Sequence, residues 1–196
     1  MNMKQRKLST TFKMLRALGF NYSETAYGDV TVGKLFNKVF GNIYKKRLEK
    51  MMDWPALQPV NPRGVRPWIL RRFGCKVGRG CFIGEYVHVD LGHADMITLE
   101  DNVSIASGSR LLCHQRDFSD YCVGDDYMQL GYVVKPIVLK KGCLIGMESF
   151  VMPGVTVGEG AVVGAGSLVT KDIPAWTVAV GRPAKVVRQI PNREEK

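Results

Sequence analysis

The chain has 196 residues, 21 of them glycine, and a formal net charge of +10. That length fits one domain with a real core, and no apolar run approaches the ~18 residues of a membrane-spanning helix. The charge is uneven: residues 1–75 hold 15 Lys and Arg against 4 Asp and Glu, whereas residues 76–196 hold 13 against 14. The basic third reads either as a solvated helix face that keeps the protein soluble or as a surface for an anionic partner such as a membrane surface or a phosphorylated carrier. It carries no recognised nucleic-acid motif and no stacking platform, so nucleic acid is not expected. The basic N-terminus also lacks the apolar segment and small-residue cleavage site of a signal peptide. The five cysteines (Cys75, Cys81, Cys113, Cys122, Cys143) have no CxxC spacing, which fits packed, reduced thiols in a cytoplasmic protein.

In chain order, Leu8, Phe12, Leu15 and Leu18 predict a short helix ending near Gly19. Residues 21–32 read as loop. Leu35, Phe36, Val39, Phe40, Ile43, Tyr44, Leu48, Met51 and Met52 then share one face at helical spacing, with lysines off the stripe. They predict a helix over about 33–52 that packs on its own chain or on a neighbouring subunit. The Pro-rich stretch Pro55–Pro67 reads as an ordered linker without regular structure, and Trp68–Gly74 leads into the remainder.

From Val77 the periodicity changes. Val77, Ile83 and Val89 open three six-residue blocks, and Leu99, Ile105 and Leu111 open three more. Leu139, Ile145, Val151, Val157, Val163 and Val169 then open six in unbroken phase. Four residues after each of these last six sits a small or modest residue: Cys143, Ser149, Val155, Ala161, Ser167, Ile173. A helix repeats its apolar positions every 3.6 residues and a strand every 2, so a period of six signals a coil that turns a corner every six residues. Glycines such as Gly146, Gly158 and Gly164 supply backbone freedom for corners. Three blocks make one coil, so about four coils begin near 77, 99, 139 and 157. The phase breaks twice, from 89 to 99 and from 111 to 139, each time after the third block of a coil. Both insertions therefore leave at the same corner, and the small one at Gly92–Met96 should lie beside the large one at 113–136. Insertions on a rigid solenoid are where function collects.

These blocks, with Val163-Gly-Ala-Gly-Ser-Leu-Val-Thr-Lys-Asp-Ile-Pro174 and Val180-Gly-Arg-Pro-Ala-Lys-Val-Val187, resemble the hexapeptide-repeat acyltransferases, specifically the sugar O-acetyltransferases of the galactoside and maltose type. The resemblance covers about 75–190. It implies a mainly β fold: a left-handed parallel β-helix of about four coils, with an N-terminal α-helical extension and a short C-terminal cap. That handedness is an exception to the right-handed crossover rule. The implied domains are an extension and linker at 1–74, the acyltransferase domain at 75–190 with loop 113–136, and a tail at 191–196. It also implies a homotrimer that takes acetyl-CoA as acyl donor in the groove between two subunits.

By the same resemblance, Gly146, Met147, Ala165, Gly166, Thr170 and Lys171 line the CoA groove, and Lys185 and Arg188 reach its phosphates. Transfer of an acetyl group to a hydroxyl needs a proton acceptor near neutral pH, which histidine supplies. The family places its catalytic histidine where the repeat breaks into the long loop, and His114 stands there. Asp117, three residues on, is the candidate to orient it, in competition with a backbone carbonyl. His88, Asp90, His93 and Asp95 lie near the same corner, and the family uses that region for the acceptor; Asp90 and His93 are the candidate substrate ligands. The expected reaction is direct acetylation of a sugar hydroxyl in bacterial surface polysaccharide synthesis, with a carbohydrate or lipid-linked acceptor and possible peripheral membrane contact through the basic third. An amine, serine or antibiotic acceptor, or a non-catalytic trimeric subunit, are the alternatives. Three histidines also invite comparison with the zinc site of γ-class carbonic anhydrases. There a single upstream histidine precedes a close pair, whereas here the pair His88 and His93 comes first, so no metal is expected.

Overall fold

A computed structural model describes residues 8–19, 28–57 and 60–195. The chain divides into two compact units, residues 1–48 and 49–196. In the first, helix α1 spans Thr10–Ala17. Ser9 caps it: its Oγ accepts from Phe12 N at 3.1 Å and donates to the Val30 carbonyl at 2.5 Å, satisfying one of the free N–H groups of the first turn. Phe12 is buried, and the helix stops at Gly19 in a left-handed conformation. Of the expected loop 21–32, residues 21–27 lie outside the described residues. Helix α2 spans Val32–Met52, close to expectation, but its stripe is not packed along its whole length. Leu48 and Met52 are buried, whereas Phe36, Val39, Phe40, Ile43 and Tyr44 are exposed.

The Pro-rich stretch is more regular than the sequence reading allowed. Pro55–Leu57 forms a 3-10 turn, Asn61–Val65 a π turn, and Arg66–Phe73 helix α3. Pro62 and Pro67 sit in the first turns of their elements, where a missing N–H costs nothing. Arg66 is buried and tied down: Nε donates to the Met52 carbonyl at 2.7 Å, a terminal nitrogen donates to the Ile83 carbonyl at 3.1 Å, and Asp53 lies 3.6 Å away. Asn61 Nδ2 donates to the same Met52 carbonyl. One buried cation thus joins the end of α2 to the first circuit of repeats. Burial lowers the Arg66 pKa, with Asp53 opposing.

The repeats form three parallel sheets, and successive strands pass to the three in rotation. The first face stacks Lys76–Val77, Ile97–Leu99, Ile137–Leu139 and Thr156–Val157. The second stacks Phe82–Ile83, Ser104–Ile105, Leu144–Ile145, Val162–Val163 and Thr177–Gly181, and Ala184–Gln189 returns antiparallel on the last of these. The third stacks His88–Val89, Arg110–Leu111, Phe150–Val151 and Leu168–Val169. The block openers Ile83, Ile105, Leu111, Ile145, Val151, Val157, Val163 and Val169 are fully buried, as are the small positions Cys143, Ser149, Ala161 and Ser167. The buried hydroxyls are paid off along the interior: Ser109 Oγ donates to the Gly146 carbonyl at 2.9 Å and Ser149 Oγ to the Gly164 carbonyl at 3.1 Å.

Two glycines separate two requirements that the sequence reading merged. Gly146, just after an opener, lies outside the left-handed region; a Cβ there would meet Ala165 N of the next circuit at 2.5 Å. Its glycine serves close stacking. Gly166 has φ +69° with open space around it, so its glycine serves the turn.

Candidate active site

The third face positions the site. His88–Val89 pairs in register with Arg110–Leu111, and Asp90 N donates to the Leu111 carbonyl at 3.1 Å. The chain leaves the face after Val89 and again after Leu111, so both insertions start at one corner, one directly over the other. The first insertion turns through His93 into the 3-10 segment Ala94–Met96. The second begins as a strand, His114–Arg116, which pairs antiparallel with Tyr132–Val134 before the chain re-enters the first face at Ile137. The strand fixes His114 rather than leaving it on a free loop.

At this corner Asp90 is buried, with 6% of its side chain exposed. Its Oδ2 accepts a short hydrogen bond from His114 Nδ1, and also faces His93 Nδ1 at 3.3 Å and Cys113 N at 3.3 Å. A carboxylate acceptor puts the proton on Nδ1 of His114, which leaves Nε2 with its lone pair. Burial works against ionisation of Asp90, but the hydrogen bond and charge of His114, with those of His93, outweigh it and hold the carboxyl below its ordinary value. The ring of His114 lies 5.2 Å from that of His93 and meets the Tyr132 ring edge-on at 5.5 Å. Arg116 covers Tyr132 at 4.3 Å and donates to the Leu130 carbonyl at 2.5 Å.

Asp117 is not the partner of His114. Its Oδ1 accepts from Ser119 N at 3.1 Å and Ser119 Oγ at 2.7 Å, a local turn that also lowers its pKa. The strand carries residue 117 away from the corner, while the stacking of circuits brings residue 90 under it. Asp90, read from sequence as a sugar ligand, holds the orienting position. His88 points outward on the third face and lines a cleft of about 290 Å³ with Asp53, Tyr86 and Arg110. The three histidines therefore do not form one set. Among the described residues, the group whose ligand atoms converge within 4.8 Å is Asp90, His93 and His114; it is complete as a hydrogen-bonded carboxylate.

The expected CoA residues occupy two corners and the sheet edge beside them. Met147 and Ala165 are exposed on adjacent circuits, where Gly166 N donates to the Met147 carbonyl at 2.7 Å. Thr170 and Lys171 are exposed at the corner that follows the third face, two circuits above Leu112. Between these corners Phe150 lies on the outer surface of the third face, with Arg110 and Arg182 each 5.5 Å from its ring centre. Lys185 and Arg188 are exposed on the C-terminal strand, opposite Val180 and Val178. Gly146 is buried against the next circuit and offers no approach to a ligand. Burial pushes the Cys113 thiol up to about 11 and those of Cys75 and Cys143 up to about 12, so none of the three is a nucleophile near neutral pH. Sequence reasoning missed Tyr132, Arg116 and Arg182; an aromatic and a cation flanking the loop ends were the available signal.

Residues 136–171 match the bacterial transferase hexapeptide (six repeats) family. A Schizosaccharomyces pombe protein provisionally named as an acetyltransferase is 34% identical over 163 residues, covering 83% of this chain and 76% of that protein. The Escherichia coli protein WcaF, provisionally named as a colanic acid biosynthesis acetyltransferase, is 34% identical over 160 residues, covering 71% of this chain and 87% of that protein. Among solved structures, a maltose O-acetyltransferase from Clostridium difficile superposes with a TM-score of 0.56 at 25% identity, covering 79% of this chain and 88% of that one. A galactoside acetyltransferase in complex with coenzyme A gives 0.55 at 23% identity, covering 78% and 82%. The interior pattern, the interrupted corner and these likenesses agree: the chain belongs to the hexapeptide-repeat family of acyltransferases.

Proposed function

We propose that this chain is an acetyl-CoA-dependent O-acetyltransferase that acetylates a sugar hydroxyl in bacterial surface polysaccharide synthesis. It would work in the cytoplasm as a homotrimer, with residues 75–190 winding as a left-handed β-helix of about four coils. The observation that carries the reading is the hydrogen bond from His114 Nδ1 to buried Asp90. His114 Nε2 takes the proton of the acceptor hydroxyl as its oxygen attacks the thioester carbonyl. Backbone N–H groups hold the oxyanion. As the C–S bond breaks, the imidazolium returns its proton to the departing thiolate, and Asp90 balances the imidazolium throughout. No acetyl-enzyme is needed.

The exposed Met147, Ala165 and Thr170 fit an extended donor along the third face, and Lys171, Lys185 and Arg188 are cations for its phosphates. Gly146 is left out of that set. His93 and the Tyr132 ring flank the base and suit a sugar: one offers a polar nitrogen, the other an aromatic wall. The polysaccharide reading is supported by the colanic acid name carried by WcaF, and the O-acetyl reading by the maltose O-acetyltransferase that superposes on the chain. The test is release of CoA from acetyl-CoA against a panel of nucleotide sugars, free sugars, serine and amino sugars. Turnover with hydroxyl acceptors, lowered about 10²–10⁴-fold by His114→Ala, supports the proposal. Turnover confined to amines would replace its acceptor, and an unchanged rate in folded His114→Ala would remove its base.

A further inference from the structure

The exposed half of α2 carries large apolar side chains beside a run of basic residues. Val32, Phe36, Val39, Phe40, Ile43 and Tyr44 are each between 45% and 63% exposed. At 100° per residue Val32, Phe36, Val39 and Ile43 fall on one line, with Phe40 beside it. Phe36 and Phe40 stack on each other at 4.6 Å. Lys45, Lys46 and Arg47 follow Tyr44 directly. A soluble helix facing water does not keep six large apolar side chains along successive turns without an occupant for them.

We infer that the α2 face Val32–Tyr44, with Lys45–Arg47 at its end, lies in the interface of an anionic lipid bilayer. The stripe is the outer surface of a single helix, and an in-plane amphipathic helix buries such a stripe among acyl chains while its basic residues meet the headgroups. Charge selects lipid over a second copy of the chain. Residues 1–48 hold 10 Lys and Arg against 2 Asp and Glu, so two copies paired through this unit would bring like charges together, whereas an anionic leaflet is complementary. No described helix is long and apolar enough to cross a membrane; the contact is peripheral. It goes beyond the catalytic reading and does not depend on which acceptor is used.

The test is flotation of the full chain with phosphatidylcholine vesicles, with and without phosphatidylglycerol, alongside its mass by light scattering. Binding is expected to the anionic vesicles and to weaken with salt. The triple variant Lys45→Ser, Lys46→Ser, Arg47→Ser should weaken it about 100-fold, taking about a factor of five for each basic residue. Phe36→Ser with Ile43→Ser should weaken it at least about tenfold. Circular dichroism and turnover of a soluble acceptor verify that each variant is folded. The inference is overturned if the wild-type chain stays unbound with anionic vesicles or if both folded variants bind as well as wild type. It is also overturned if the Phe36/Ile43 variant lowers the oligomer mass, which would make the face a subunit contact.

Discussion

Residues 137–173 and the corner formed by residues 90–96 and 112–136 are built from the same repeat and behave as opposites. In the first, every sixth residue is sealed inside, every small position is filled, and each circuit backs directly onto the next. In the second, the repeat is abandoned twice at one place, and the released chain brings two histidines onto one buried carboxylate. The regular region concentrates stability and leaves little room for chemistry. The interrupted corner concentrates chemistry and borrows its rigidity from the circuits beneath it. Substitutions in the buried interior of the repeats should therefore melt the protein, and those at the interrupted corner should silence it.

The largest effect expected at the corner is that of His114→Ala: kcat/KM lower by about 10²–10⁴, with the fold retained because Asp90 keeps His93 Nδ1 and Cys113 N as partners. In the stacked region the reverse holds. At the join with α2, Arg66→Ala removes a donor from the Ile83 carbonyl, leaves the Met52 carbonyl to Asn61 and should cost about 2–3 kcal/mol, read by urea unfolding. Gly146→Ala drives a Cβ into the backbone of the next circuit and should cost about 1–3 kcal/mol, lowering the melting temperature by several degrees. A fully active, equally stable Gly146→Ala protein would break the division.

A smaller effect concerns acid. The Asp90 carboxyl is held below its ordinary value in the folded chain. Its contribution to stability is thus fully present above the unfolded carboxyl range and lost as pH falls through the lowered folded value. The stability gap between wild type and Asp90→Asn should therefore narrow as pH falls from about 5 to below about 4. A gap that does not change between about pH 6 and about pH 3 would mean that the carboxyl is not ionised in the way this geometry requires.

The interior of the repeats was legible because a period of six leaves no freedom in which residues face inward. The shared corner was legible for the same reason: the phase breaks fell at equal counts around the circuit. What was not legible was the partner of His114. Proximity along the chain favoured Asp117, three residues away, but an extended strand carries neighbours apart. Asp90 is 24 residues distant and arrives by stacking. Counting in register would have placed residue 90 under residue 112, and therefore beside 114. Tyr132 was hidden because its position depends on the antiparallel pairing within the loop. The exposure of Phe36 and Ile43 was hidden because helical spacing identifies a stripe and says nothing of what covers it.

In the proposed mechanism Asp90, and not Asp117, sets the tautomer of His114. The direct measurement is kcat/KM for Asp90→Asn and Asp117→Asn, side by side, with acetyl-CoA saturating and both proteins shown to be folded. Asp90→Asn should lose on the order of 10²-fold or more, since an amide can donate to Nδ1 and leave the proton on the wrong nitrogen. Asp117→Asn should stay within about threefold of wild type, because exposed surface substitutions rarely do more. Equal losses, or a larger loss at Asp117, would contradict the assignment of Asp90 as the orienting carboxylate.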